Sequence, residues 1–154
     1  IHDRSLAFLN RRHSHADSVR AIELLSRHGI AVCAHLILGI PGETWQDMMA
    51  TAQAMNDPGI AGVKLHQLHV IRGTRLAGML QNSPFALMEC GEYVSTVCDM
   101  LGRFRPSLLI HRLAADRAGD TLLAPRWGLH KGPVQRAIAD ELERRESYQG
   151  MLFG

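Results

Sequence analysis

The sequence lacks the features that would assign it directly to a membrane, secreted or simple metal-binding class. No apolar run approaches the ~20 residues that cross a bilayer, and no secretory signal is visible. The three cysteines, Cys33, Cys90 and Cys98, show no metal-ligand spacing such as C-x-x-C. A net charge of +2 is too small to predict nucleic-acid binding by itself. We therefore expect a cytoplasmic protein whose thiols are reduced.

Length and composition predict one globular domain with a hydrophobic core. The 154 residues are 46% hydrophobic and 21% charged, which is typical of globular proteins. The sequence contains no nucleophile elbow, Walker loop or H-E-x-x-H helix. It begins at Ile1 rather than at a methionine, with no lead-in to a strand. We therefore expect a fragment of a longer protein.

Strand and helix patterns alternate in the first half of the chain. Residues 30–38 form an apolar run that predicts a buried strand, and residues 62–71 predict a second one. Between them, Thr44 followed by Asp47 predicts a helix start, and residues 45–55 continue with helical spacing. Because the two element types alternate, the sequence predicts an α/β fold in which the two strands are adjacent and parallel.

The remaining elements follow from capping, proline and glycine signals. Ser14 followed by Asp17 resembles a capping box and predicts an earlier helix start. After residue 72 we predict a loop at 78–84, a helix at 88–104, a strand at 108–113, a loop at 121–131 and a helix that begins at Pro133. At the end of the third strand, Arg112 and Asp116 are close enough in sequence to pair.

The stretch 35–43, His-Leu-Ile-Leu-Gly-Ile-Pro-Gly-Glu, carries the clearest local signal for a ligand site. The apolar strand breaks at Gly39, and Pro41 and Gly42 then force a turn before the next helix. Ligands bind at such strand ends in α/β folds because loops and helix dipoles converge there. A glycine also lets a ligand approach closely, since it has no Cβ. The same pattern is typical of a plain tight turn, so both interpretations stay open.

Polar residues interrupt the second predicted strand. Because side chains alternate along a strand, Val63 and Leu65 should lie under helices while Lys64 and His66 face the opposite side. In a barrel that side is the lumen, where a buried lysine needs a partner or a ligand. Ligand contact, an internal salt bridge and a position at the solvated end of the strand all fit Lys64. His69, near the C-terminal strand end, is either a site residue or a structural histidine.

Several motifs occur in the order found in one known family. They are residues 35–43, 63–70, 72–74 (Arg-Gly-Thr), 110–113 (Ile-His-Arg-Leu) and 125–127 (Pro-Arg-Trp). On these motifs the chain resembles the YhcC-like radical S-adenosylmethionine (SAM) proteins, relatives of the Elongator catalytic subunit and of the methylthiotransferases. The resemblance implies the C-terminal part of a partial (β/α)6 TIM-like barrel, at residues 1–72, and an α/β C-terminal extension, at residues 73–154.

The resemblance also implies a chemistry. Members of the family hold a four-iron four-sulfur (4Fe-4S) cluster on a C-x-x-x-C-x-x-C loop, and there SAM is cleaved reductively to a 5′-deoxyadenosyl radical. This chain has no such loop, and its three cysteines are predicted to lie on separate elements. We therefore expect the C-terminal half of a radical SAM enzyme, without cluster ligands of its own and inactive by itself.

The resemblance suggests which residues lie near the cofactor. Ile37 and Gly39 are similar to the strand that packs against adenine, and the backbone of residues 68–70 resembles a second adenine contact. Related families place a glutamate where Gly42 lies here, so we expect Glu43 to favour the start of the following helix. The candidate cofactor-binding residues are His35, Ile37, Gly39, Pro41, Gly42, Lys64, His66, Leu68, His69 and Val70. The sequence identifies no catalytic residue.

The implied partners are SAM, an electron donor protein and a substrate that the sequence does not name. Kinship with tRNA-modifying enzymes makes RNA one candidate substrate, with arginine side chains as phosphate contacts. Two other functions stay open. One is a metal-dependent barrel hydrolase that uses His66, His69 or His111, and the other is a non-catalytic domain that binds nucleotide or protein.

Overall fold

Helices and strands alternate through the first part of the chain and recur in a different order after it. The computed structural model describes residues 1–116, 120–128 and 130–154. In chain order the elements are α1 (Asp3–Phe8), α2 (His15–Arg27), β1 (Val32–Leu38), α3 (Trp45–Ala54), β2 (Ile60–Gln67), β3 (Val70–Ile71), α4 (Arg75–Asn82), α5 (Cys90–Arg103), β4 (Leu109–Arg112), β5 (Leu122–Ala124) and α6 (Lys131–Arg144). Among the described residues, no helix has both the length and the apolar character needed to cross a bilayer.

A parallel sheet with the strand order β1–β2–β4 organises this α/β fold. β1 and β2 pair from Val32 opposite Ile60 to Leu38 opposite Gln67, and α3 connects the two strands. β4 pairs in parallel with the other edge of β2. The prediction of two adjacent parallel strands is therefore confirmed. β4 lies after residue 72 in the sequence and extends the same sheet.

The hydrophobic core covers one face of this sheet. Leu36 and Leu38 of β1 and Val63 and Leu65 of β2 contribute the strand side of the core. The helices α3 and α5 contribute the opposite side through Met48, Met49, Ala52, Val94, Val97, Met100 and Leu101. Full burial of a large aliphatic side chain is worth about 1.5–3 kcal/mol. The core therefore fixes which side chains of each strand lie under helices and which lie on the other face.

Two capping boxes set the helix starts that the sequence predicted. The Ser14 hydroxyl accepts a hydrogen bond from the Asp17 N–H, while the Asp17 carboxylate accepts one from the Ser14 N–H. Thr44 and Asp47 make the same reciprocal pair at the start of α3. A side-chain cap stabilises a helix by about 1 kcal/mol. Both predicted starts are confirmed, and the second lies directly after the glycine-containing loop.

The second strand is shorter than predicted. The sequence predicted one strand over 62–71, but β2 ends at Gln67, and Val70 and Ile71 pair antiparallel with β5 in a separate sheet. The side-chain amide of Gln67 donates a hydrogen bond to the Ala115 carbonyl oxygen (2.8 Å) and accepts one from the Ala115 N–H (3.1 Å). The apolar sequence pattern continues past Gln67 because Val70 is also buried. Val70, however, pairs with Ala124 of β5 and not with the parallel sheet.

Two segments predicted as loops contain regular structure. Residues 78–84 lie largely in α4, which the Thr74 hydroxyl caps by accepting a hydrogen bond from the Ala77 N–H. Gly78 suggested a turn, but a helix tolerates one glycine at a cost of about 1 kcal/mol. Residues 121–131 contain β5, whose pairing with β3 is not visible in the local sequence pattern. Residue 129 of this predicted loop lies outside the described part of the chain.

The cysteines are distributed differently from the prediction. Cys33 lies on β1, but Cys90 and Cys98 both lie on α5, so the prediction of three separate elements was wrong. Eight residues of helix still separate Cys90 from Cys98 by about 12 Å along the axis. All three are free thiols, and burial raises the pKa of Cys98 to about 11. Within the described ranges, no group of three or more His, Cys, Asp or Glu side chains could hold a metal ion.

Candidate functional site

The face of the sheet opposite the core carries the polar strand residues predicted from the sequence. Lys64 and His66 are half-buried on this side, whereas Val63 and Leu65 are completely buried under the helices. The predicted alternation along the second strand is therefore confirmed. We call this side the open face. It carries His35, Ile37, Lys64, His66 and Arg112.

Three basic side chains lie next to one another across the open face. His35 on β1 is the register partner of Lys64 on β2, and Lys64 is in turn the partner of Arg112 on β4. Neighbouring strands lie about 4.8 Å apart, so these three residues span about 10 Å. We call them the cationic row. His66 follows two residues after Lys64 on the same face, and it is the partner of Ile37.

A register shift in β4 brings one more polar side chain to the row. The pairing of β2 with β4 shifts just before Lys64, so that Arg112 rather than His111 becomes its partner. The His111 ring lies against Gly62, where a Cβ would be only 2.7 Å from the ring atoms Cδ2 and Nε2. Gly62 therefore makes room for an imidazole beside the cationic row.

The charges of the row act on the neighbouring histidines. Loss of solvent around the His35 ring lowers its pKa, and the positive charges of Lys64 and Arg112 lower it further. Burial also lowers the pKa of His66, against the effect of its Nδ1–H donating a hydrogen bond to the Gln67 carbonyl oxygen. The charge of Arg112 lowers the His66 pKa in addition. Both imidazoles are therefore biased toward their neutral forms.

Arg112 has a hydrogen-bond donor that the described residues leave unused. Its Nε is buried and has no hydrogen-bond partner among the described residues. The pairing with Asp116 that the sequence allowed is not formed, because the Asp116 carboxylate instead accepts a hydrogen bond from the Lys131 N–H (2.6 Å) at the start of α6. Arg112 also lies near the buried Tyr93, whose hydroxyl donates to the Leu113 carbonyl oxygen (2.7 Å).

The loop after β1 is shaped by glycines in the left-handed region. Gly39 has φ +78° and Gly42 has φ +86°, conformations that residues with a Cβ rarely adopt. The Glu43 N–H donates to the Ile40 carbonyl oxygen (3.0 Å) and closes the turn. A Cβ on Gly42 would meet no atom within 4 Å, so that side of the loop is open.

The two glycines differ in what lies beside them. A Cβ on Gly39 would be 3.0 Å from the Met88 Cβ. Met88 is held there by Trp127, whose Nε1–H donates to the Met88 carbonyl oxygen (3.2 Å). The protein itself therefore fills the space that the sequence assigned to a ligand at Gly39, and the open position belongs to Gly42.

A cavity of about 510 Å³ lies at the carboxyl end of β2. Gln67 and His69 line it from the β2 side. The opposite wall is formed by side chains of both signs and by loop residues: Arg72, Asp116, Asp120, Arg126 and His130. The ring of His69 meets that of His66 edge-on, with 4.6 Å between centroids, so the open face and this cavity are in contact through two histidines.

The ten candidate residues do not all lie together. Pro41 lines a different cavity, of about 660 Å³, with Phe8 and Phe85. Leu68 and Val70 are buried side chains, and the Leu68 N–H is already bonded to the Leu38 carbonyl oxygen (2.9 Å). The structure brings together the open-face members His35, Ile37, Lys64 and His66.

Sequence reasoning missed the place of Arg112 in this site. It considered Arg112 only as an ion-pair partner or a phosphate contact, because its position depends on pairing with a strand 45 or more residues earlier. Its one signal is the polar His111-Arg112 pair that interrupts an apolar strand, as Lys64 interrupts the preceding one.

Helices on one face of a parallel sheet and polar side chains on the other are the arrangement of an α/β barrel wall. The chain belongs to the radical SAM superfamily. The sequence model of that superfamily matches residues 1–55, and the model of the Radical SAM C-terminal domain matches residues 60–144.

Similar proteins support the same family, and they are longer than this chain. It is 36% identical to the uncharacterized protein YtqA of Bacillus subtilis over 99% of this chain and 48% of the relative. It is 34% identical to YhcC of Escherichia coli K12 over 82% of this chain and 41% of the relative. The archaeal Elp3 of Methanocaldococcus infernus, solved with an N-terminal deletion, has the same fold, with a TM-score of 0.85 at 20% identity over 97% of this chain and 35% of that one. The chain thus spans about half the length of its curated relatives or less.

Proposed function

We propose that this chain forms the part of a radical SAM enzyme that contacts the adenosine portion of SAM and the substrate. Family membership supports the use of SAM. The glycine loop at the end of β1 is the observation that supports a SAM contact on the open face. The proposal divides the chain into a barrel portion, residues 1–72, and an extension, residues 73–154, whose β4 completes the sheet.

The strand ends fit the adenosine portion of SAM. Ile37 offers apolar surface on the open face, and Gly42 leaves open space at the loop where a Cβ would be. Because the Leu68 N–H is already used within the sheet, we assign adenine recognition in the segment 68–70 to backbone groups beyond it. Glu43 and the Thr44 cap hold the loop in place on the other side.

The 4Fe-4S cluster does not fit the described residues. Four ligands are needed at one place, and Cys33, Cys90 and Cys98 are separated by the architecture of the sheet and α5. We propose that the cluster ligands lie in a part of the longer protein outside this chain. When bound there, SAM supplies a 5′-deoxyadenosyl radical, and this chain's residues bind, orient and shield the reactants from water. An external one-electron donor protein completes the proposal.

Reconstitution of the full-length gene product with iron and sulfide without oxygen tests the proposal. We expect the absorbance of a 4Fe-4S cluster and release of 5′-deoxyadenosine from SAM after reduction. A protein that binds SAM or nucleotide without a cluster and without cleavage would instead support the non-catalytic binding domain. Hydrolysis that depends on an added divalent metal would support the barrel hydrolase.

A further inference from the structure

No acidic side chain of the described residues forms an ion pair with Lys64 or Arg112 of the cationic row. Among the described residues, ion pairs involve acidic groups on helices: Asp17, Glu23, Asp47, Asp99 and Glu141. None of these pairs includes Lys64 or Arg112. Lys64 and Arg112 are half-buried, and a partly desolvated cation gains from a ligand that neutralises it.

The groups around the row add no acid to it. His66 and His111 share the open face with the row, and His69 contacts the ring of His66. From the helix side, α5 contributes the Tyr93 hydroxyl, which donates a hydrogen bond to the Leu113 carbonyl oxygen. Burial raises the pKa of this hydroxyl. None of these groups carries a carboxylate, and the Asp116 carboxylate further along the chain is bonded to the Lys131 N–H.

The row lies deep relative to the loop at the strand ends. His35 precedes Gly39 by four residues, and a strand rises about 3.3 Å per residue, so the row is about 13 Å from the loop. An adenosine portion that contacts the loop and Ile37 ends two strand residues, about 7 Å, short of His35, which leaves the row for a second molecule. The width of the row, about 10 Å across three strands, suits one small anionic group.

We propose that the cationic row binds an oxyanion, a carboxylate or a phosphate, carried by a small-molecule substrate of the enzyme proposed above. The buried Nε of Arg112 supplies an unused donor, and a guanidinium pairs with carboxylate and phosphate oxygens through two parallel hydrogen bonds. Lys64 adds a compact positive charge at the centre, and the neutral His35 ring supplies one N–H donor at the edge of the row. This inference rests on the proposed function, but its test needs neither cluster nor electron donor.

Histidine ring signals in NMR spectra of the full-length gene product report directly on the row. Titration with inorganic phosphate or acetate should raise the pKa values of His35 and His66 saturably, by about 0.5 unit or more, because a bound anion offsets the charges that lower them. Phosphate acting at lower concentration than acetate would assign a phosphate group to the substrate, and the reverse order would assign a carboxylate. Chloride at equal ionic strength is the control for screening.

Two variants locate the binding. Arg112→Gln and Lys64→Gln should each weaken the anion's apparent affinity about tenfold or more, whereas Arg27→Gln, at an exposed position on α2, should leave it unchanged. Melting temperatures of all three variants show whether each still folds. If Arg112→Gln unfolds, Lys64→Gln alone decides, provided that its melting temperature matches that of the parent protein.

Several results would overturn the inference. One is the same shift with chloride as with phosphate, and another is unchanged affinity in both row variants. If SAM alone competes with phosphate for the row, the cations belong to the cofactor. If a single-stranded oligonucleotide shifts both histidines while phosphate and acetate do not, the ligand is nucleic acid. If anions do not bind the row but 5′-deoxyadenosine is released normally, the proposed function stands and the inference fails. If anions bind the row but no 5′-deoxyadenosine is released, the proposed function fails and anion binding stands.

Discussion

Gly39 and Met88 are in contact at the end of β1: a Cβ added to Gly39 would lie 3.0 Å from the Cβ of Met88. Together with φ +78°, this contact makes Gly39 a position where backbone conformation and packing both exclude a side chain. Its glycine is thus explained by the protein itself, and the open position of the loop is at Gly42.

Gly39→Ala should destabilise the fold more than a glycine replacement in the same conformation elsewhere. Gly29 has φ +69° with open space around it, so Gly29→Ala should cost about 1–2 kcal/mol for the left-handed conformation alone. Gly39→Ala should cost at least about 1 kcal/mol more because Met88 must move. Urea denaturation of both variants measures the difference, and equal losses would contradict the contact.

Gly42→Asn should weaken SAM binding while leaving stability nearly unchanged. Asparagine tolerates the left-handed conformation, so the substitution mainly adds a side chain to the open space at the loop. Equilibrium binding of SAM to the reconstituted full-length protein measures the effect, with Gly29→Asn as the matched control. Normal affinity for SAM in the Gly42 variant would remove the loop from the cofactor site.

Gln67→Leu should be strongly destabilising. The Gln67 amide is buried and satisfies both backbone groups of Ala115, and a leucine would leave that N–H and carbonyl oxygen unpaired. Each buried unsatisfied group costs about 1–3 kcal/mol, so we expect a loss of about 2–5 kcal/mol in denaturation experiments. Gln53→Leu, on the exposed side of α3, should change stability by less than about 0.5 kcal/mol. Similar losses in the two variants would show that the Ala115 contact is dispensable.

Lys64→Met should raise the pKa of His35 without a large loss of stability. The positive charge of Lys64 is one of the causes that lower this pKa, and methionine preserves most of the side-chain volume. NMR titration of the His35 ring measures the change, with Arg27→Gln as the control. A collapse of the melting temperature with an unchanged His35 pKa would make Lys64 a structural residue instead.

Glu141 should contribute to stability at neutral pH and lose that contribution in acid. Hydrogen bonds from Arg144 and Arg145 lower its pKa from the ordinary 4.5 to about 2. Because the folded pKa is the lower one, the stabilisation is complete above about pH 4.5 and disappears as the pH falls toward 2. Thermal melts across this window should show a smaller acid-dependent loss for Glu141→Gln than for the parent protein. Glu143→Gln, two residues further along α6, serves as the control and should retain the parent's pH profile.

The sequence predicted correctly those elements that are specified by residues close together in the chain. The β1–α3–β2 unit was predicted because an apolar run, the Thr44–Asp47 box and a second apolar run each specify their element within a few residues. The pair β3–β5 was missed because Ile71 and Leu122 are brought together by the fold across fifty residues of chain. Residues 78–84 were assigned to a loop because Gly78 and Pro84 bound them, and the helix cap at Thr74 was not considered.

The candidate site could be predicted only in part for the same reason. Alternation along β2 was enough to place Lys64 and His66 on one face, since it needs only the two-residue period of a strand. The row itself requires knowing that β4 joins β2 with a register shift that selects Arg112 over His111. A pairing register between distant strands is set by packing of the whole sheet and leaves no mark in the local sequence.

The capping box of Thr44 and Asp47 has a consequence for what the start of α3 offers a ligand. It occupies the Thr44 and Asp47 amide groups with a carboxylate and a hydroxyl, so these two groups at the start of α3 are not free to attract a phosphate. The Asp47 carboxylate is also paired with Arg4 (2.5 Å). The start of α3 therefore offers a ligand neither an unpaired Asp47 carboxylate nor these two amides, and it serves to hold the glycine-containing loop in place.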